Sequence, residues 1–108
     1  MRKSNSVYIA SYRRAGRLVP RRAAGLRAGV VVLKPGGVID WHSTRTREEL
    51  LIALEGRCEV DIQRPRGTQR TIRLQHSQCL LLPSQTLHRV VNESTKPVRY
   101  LYITAPAR

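Results

Sequence analysis

Apolar residues along this chain come in short runs, and most of them alternate with polar ones. Val38–His42, Cys58–Gln63, Gln69–Leu74 and Val98–Thr104 carry the two-residue period of a half-buried strand. Leu80–Leu82 and Leu50–Leu54 are continuous apolar stretches bounded by turn or polar residues. Together with Val7–Tyr12, Gly29–Leu33, Glu49–Leu54, Cys79–Leu82 and Leu87–Val91, the pattern predicts many short strands. Pro35-Gly36-Gly37, Glu55-Gly56, Pro65-Arg66-Gly67 and Asn92–Pro97 separate them. Proline presets one backbone angle and glycine admits a positive one, so these are apt turns. Thr46–Glu55 has the composition of a helix, but its short length, the following Gly56 and the surrounding rhythm assign it to a strand. The expectation is an all-β sandwich or barrel.

At 108 residues the chain suits one domain with a single core. It divides into a basic N-terminal segment, residues 1–28, read as an irregular arm or a strand-containing stretch, and a β-barrel domain, residues 29–108. With no Phe, the core falls to Leu, Val and Ile. No apolar run approaches the roughly 20 residues of a membrane helix. The start, MRKSNSVYIASYRR, has charge but no sustained apolar region, so a cytoplasmic protein without signal peptide or anchor is expected. Cys58 and Cys79 each alternate with apolar neighbours and form no CxxC pair. Both are expected to be free thiols facing packed interior in a reducing compartment.

The formal charge of +13, almost all of it from Arg, changes the picture of partners. Such a balance attracts nucleic acid, anionic lipid or an acidic metabolite. The arginines are scattered from Arg2 to Arg108, and the densest stretch, Arg13 to Arg27, has no aromatic residue on which a base could stack. A solvated basic surface is favoured over a nucleic-acid site, and an anionic small molecule fits the charge equally well.

The candidate chemistry lies in two stretches, Gly36 to Gly56 and Ser77 to Asn92. His42, Glu49 and His88 offer two imidazoles and one carboxylate, a set that suits Fe, Mn, Ni, Cu or Zn and leaves coordination positions open. If Val38–His42, Glu49–Leu54 and Leu87–Val91 line the inside of one barrel, the three can converge at one depth. Along a strand His42 and Thr44 share a face, as do His88, Val90 and Asn92, whereas Trp41 faces away from His42. Arg45 and Arg47, in the crossing between His42 and Glu49, could clamp a substrate carboxylate, with solvated loop charges as the plainer reading. Tyr100 and Tyr102 share one side of the last strand and are candidates for the barrel mouth or for packing. His76 reads as a surface residue.

These spacings resemble the two motifs of the cupin superfamily, G-x5-H-x-H-x(3,4)-E-x6-G and G-x5-P-x-G-x2-H-x3-N. Gly36, His42, Glu49 and Gly56 fall on the first in register, and Pro83, His88 and Asn92 on the second. The x6 spacing to Gly56 selects Glu49 over Glu48. Thr44 stands where the family usually has its second His, Ser77 where the second motif opens with Gly, and Gln85 where it has an internal Gly. The last two changes should be tolerated if the backbone there suits a side chain. Thr44 removes a ligand and leaves a two-His, one-Glu set.

The resemblance implies a jelly-roll β-barrel (the cupin double-stranded β-helix), a homodimer, and a divalent transition metal held by His42, Glu49 and His88. The implied pocket would include Thr44, Arg45, Arg47, Tyr100 and Tyr102. As an enzyme it would be a metal-dependent oxygenase, isomerase or decarboxylase. A non-catalytic, metal-free ligand-binding or sensing barrel is the alternative, and a basic nucleic-acid-interacting protein a further one.

Overall fold

The computed structural model describes residues 7–108, with nine strands in two antiparallel sheets and no α-helix among those residues. The strands are β1 (Gly16–Arg17), β2 (Arg27–Leu33), β3 (Val38–Ser43), β4 (Arg47–Glu55), β5 (Arg57–Gln63), β6 (Gln69–Gln75), β7 (Cys79–Leu82), β8 (Leu87–Val91) and β9 (Val98–Pro106). One sheet has the order β1-β2-β9-β4-β7 and the other β3-β8-β5-β6. Neighbours such as β2 and β9, or β3 and β8, are distant in sequence, which is the interleaved order of a jelly roll rather than a simple meander.

The two-residue period decides what lies between the sheets. Leu51 and Ala53 of β4, Leu82 of β7 and Val98 and Tyr100 of β9 project inward from the larger sheet. Cys58 and Val60 of β5, Leu74 of β6 and Val90 of β8 meet them from the smaller one. Glu49 stands in the same inward row as Leu51 and Ala53, two and four residues before them. The strand rhythm therefore carries a carboxylate into an otherwise apolar layer.

Two turns are built around a backbone that only glycine adopts freely. Gly56, at φ +73°, joins β4 to β5, and a Cβ there would lie 2.6 Å from the Pro97 carbonyl oxygen. Gly36, at φ +82°, turns β2 into β3, where its N–H donates to the Asn92 carbonyl at 2.8 Å. Asn92 is fully buried and its amide donates to the carbonyls of Leu33 and Lys96 while its oxygen accepts from Ser94 N–H and Oγ. That saturated amide ties the β8–β9 turn to the end of β2.

The fold departs from the sequence expectation at three places. Val7–Tyr12 is not a strand: Val7 and Ile9 are 97 % and 93 % exposed, and the edge of the larger sheet is occupied instead by Gly16–Arg17. Alternation alone does not make a strand without a backbone partner to pair with. Cys79 is exposed, because in β7 it is Leu80 and Leu82 that turn toward the core while Cys79 and Leu81 face out. Cys58 is buried as expected, and that burial, with Glu59 beside it, pushes its thiol up to about 11. Finally, Ser77 and Gln85 sit at φ +73° and +60°, so the motif's glycine conformation persists although its glycines are gone.

No helix among the described residues is long and apolar enough to cross a membrane.

Candidate metal centre

His42 and His88 are direct cross-strand partners on β3 and β8, and Glu49 faces them from β4 in the opposite sheet. One potential ligand atom from each lies within 4.8 Å of the others. The imidazole rings have centroids 4.3 Å apart and are tilted by 55°. His88 Nε2 is 3.7 Å from Glu49 Oε1.

A bulge brings His42 into this group. Ile39 pairs with Val90, but His42 pairs with His88, so β3 spends three residues where β8 spends two. Without that extra residue the inward row through Ile39 would continue to Trp41. The bulge re-aims the strand so that His42, although exposed, stands on the side that faces His88 and Glu49. Asp40 stabilises the irregular backbone, its Oδ1 accepting the Trp41 N–H at 2.8 Å. Trp41 faces out, where the Arg89 guanidinium lies 5.1 Å above its ring and also pairs with Asp61 at 2.7 Å.

Both imidazoles are oriented by the backbone. His42 Nδ1 lies 2.8 Å from the Asp40 carbonyl and His88 Nδ1 3.0 Å from that of Thr86. A carbonyl can only accept, so each Nδ1 carries a proton, and in the neutral ring it is Nε2 that offers the lone pair. Such backing of a ligating histidine fixes both tautomer and ring orientation. His88 is 1 % exposed, and its desolvation is the main cause holding its pKa below the ordinary imidazole value. Burial raises the Glu49 pKa, with His42 acting in the opposite sense. The donor set fits a divalent transition metal. Metal bonds of about 2.1 Å ask for donor separations of roughly 3–4 Å, within a small side-chain rotation of the observed spacing.

Thr44 has a different task. Its hydroxyl donates to the Pro83 carbonyl at 2.7 Å and accepts the Thr86 N–H at 3.0 Å, while its own N–H donates to the Thr86 carbonyl. Where the family's second histidine would stand, this chain has a tie between the β3–β4 and β7–β8 turns. The same tie steadies Thr86, whose carbonyl orients His88.

The remaining sequence candidates separate. Arg47 is not a loop residue but opens β4, and its guanidinium is committed to Thr104 Oγ1, the Thr104 carbonyl and the Gly25 carbonyl. Arg45 stays in the turn and is exposed. Tyr100 is a core residue, 3 % exposed, with its phenol pushed up by burial. Tyr102 lines a cleft of about 800 Å³ that also reaches Glu49, Thr44, Arg45 and Arg47. The sequence reading missed the other wall of this cleft, Arg17 to Ala28 of the N-terminal segment. Its only signal was charge density.

Two facing antiparallel sheets with inward His, His and Glu define a metal-competent jelly-roll barrel as the class. The family model described as "Cupin domain" matches residues 29–104, and the chain belongs to that family. A glucose-6-phosphate isomerase of Pyrococcus horikoshii is 33 % identical over 63 residues, covering 58 % of this chain and 33 % of that one. That of Pyrococcus abyssi is 32 % identical over the same shares, so the chain spans about a third of the length of these curated relatives. The cupin domain of Schizosaccharomyces pombe Cnp3 superposes with a TM-score of 0.74 at 20 % identity, over 85 % of this chain and 59 % of that one. The Bacillus subtilis oxalate decarboxylase, a protein with Mn(II) centres, gives a TM-score of 0.70 at 20 % identity, over 78 % of this chain and 22 % of that one. These structures share the fold.

Proposed function

We propose that this protein is a small metal-binding cupin that binds or transforms a small molecule beside a two-histidine, one-glutamate site. The observation that carries the reading is the convergence of His42, Glu49 and His88 with both Nε2 lone pairs free. His42 and His88 would supply neutral imidazole nitrogens and Glu49 the charge. A bound metal would contribute Lewis acidity or oxygen activation, and the fold does not select between them. The chain's own part is to hold the imidazoles through the Asp40 and Thr86 carbonyls and to admit ligand through the cleft that Glu49 helps to line. The curated relatives are sugar-phosphate isomerases and one structural neighbour is a decarboxylase, which keeps isomerase and decarboxylase chemistry within the reading.

Elemental analysis of protein purified without added metal tests it. Near-stoichiometric Fe, Mn, Ni, Cu or Zn, lost in His42→Ala and Glu49→Ala, is expected. Protein that arrives metal-free and also fails to take up added metal would refute the metal site and leave the metal-free ligand-binding barrel.

A further inference from the structure

We propose that the N-terminal segment and the β3–β4 turn form a binding wall for a small oxyanion, a carboxylate or a phosphate ester, presented toward Glu49. This deepens the small-molecule reading above and rests on it. The cleft measures about 800 Å³, and sites for small organic ligands run from about 300 to 1,000 Å³. Arg17, Arg21 and Arg27 line it from the N-terminal segment and Arg45 from the turn. Glu49, one of the three metal-ligand candidates, is the one acidic residue lining it among the described residues.

What sets these four arginines apart from other unpartnered ones, such as Arg64 and Arg70, is that they line one concavity, whereas further arginines of the barrel are committed elsewhere. Arg73, Arg89 and Arg99 are each paired with a carboxylate, namely Glu59, Asp61 and Glu55. Arg47 is bound to Thr104 and Gly25, which fastens the N-terminal segment across the mouth. The side chains of Arg17, Arg21, Arg27 and Arg45 have no hydrogen bond or ion pair among the described residues, and all four are exposed. Four guanidinium groups gathered around one concavity repel one another, and an oxyanion relieves that repulsion. Guanidinium also matches carboxylate and phosphate geometry with paired N–H donors.

Calorimetric titration of the full chain, freed of metal with a chelator, tests the wall without involving the metal. The probes are inorganic phosphate and malonate at about 20 mM ionic strength, where screening is weak. Saturable binding of one anion per chain is expected for at least one probe, and the tighter of the two identifies the oxyanion. The triple variant R17A/R21A/R27A should bind about tenfold more weakly or worse, while K34A/R64A/R70A, which removes equal charge outside the cleft, should change affinity by less than about threefold. Equal weakening in both triples, or no saturable binding of either probe, would overturn the proposal. R17K/R21K/R27K preserves charge and guards against misfolding of the alanine triple. It is expected to bind more weakly than the wild type, and unchanged affinity would overturn recognition by guanidinium. Retained phosphate binding in a chain that takes up no metal would sink the metal reading alone.

Discussion

Replacing Thr44 with Val removes one oxygen and keeps the shape of the side chain. The residue is 7 % exposed, and its hydroxyl both donates to Pro83 and accepts from Thr86. Each bond is worth about 0.5–1.5 kcal/mol net. Pro83 lies at the surface, where water can replace the lost donor, so the sum falls toward the lower part of the range, about 1–2 kcal/mol. With a urea slope of about 1.5 kcal/mol per molar, that is a midpoint lowered by roughly 1 M at unchanged slope. Thr44→Ser keeps both bonds and loses one methyl, costing about 0.8 kcal/mol at most. Equilibrium unfolding followed by Trp41 fluorescence measures both. Metal uptake should be nearly unaffected in Thr44→Val, since all three donors remain. A variant as stable as the wild type but altered in metal binding would refute the tie and make Thr44 part of the metal's surroundings.

Other expectations follow from strained, crowded and charged positions. Ser77→Gly and Gln85→Gly should each raise stability by about 0.5–1 kcal/mol in thermal or urea unfolding, because the positive φ costs a side chain more than glycine loses in chain entropy. Gly29→Ala places a Cβ 2.5 Å from the Tyr102 hydroxyl and 2.7 Å from its ring, so it should cost about 1–3 kcal/mol and shift the tyrosine that lines the cleft, visible as altered phosphate binding. Burial alone would raise the Asp61 pKa, but hydrogen bonds from Thr71 and Arg89 outweigh it and hold the carboxyl below its ordinary value. The stabilisation it brings is present above the unfolded pKa near 3.8 and is lost as pH falls through the lower folded value. Asp61→Asn should therefore cost about 1–2 kcal/mol at neutral pH, allowing for a partly exposed Arg89, and the gap from wild type should close below about pH 3.8.

Much of the barrel was legible because strand burial has a period of two. The row Glu49, Leu51, Ala53 and the trio His88, Val90, Asn92 point inward as alternation requires. Fixed spacings then placed three ligand candidates on two facing sheets. What could not be read depends on long-range pairing. Val7–Tyr12 alternates well but pairs with no strand, and Cys79 faces out because Leu80 and Leu82 take the interior side of β7. Nor does spacing reveal what a hydroxyl or guanidinium bonds: Thr44, at the vacated ligand position, and Arg47, a candidate carboxylate clamp, both fasten chain segments. The cleft's second wall is made by a stretch whose only mark was its basicity.

The bulge in β3 sets the reading frame of that strand. Ile39 and His42 lie on the same side of β3 although they are three positions apart, which no regular strand permits. Deleting a single residue from this stretch would delete no donor, yet it would bring the wrong side chain to the site. The number of residues before the histidine is thus under the same constraint as the histidine itself. Insertions and deletions between Val38 and His42 should be tolerated as poorly as replacement of a ligand, while the β5–β6 turn, far from any such count, can vary freely.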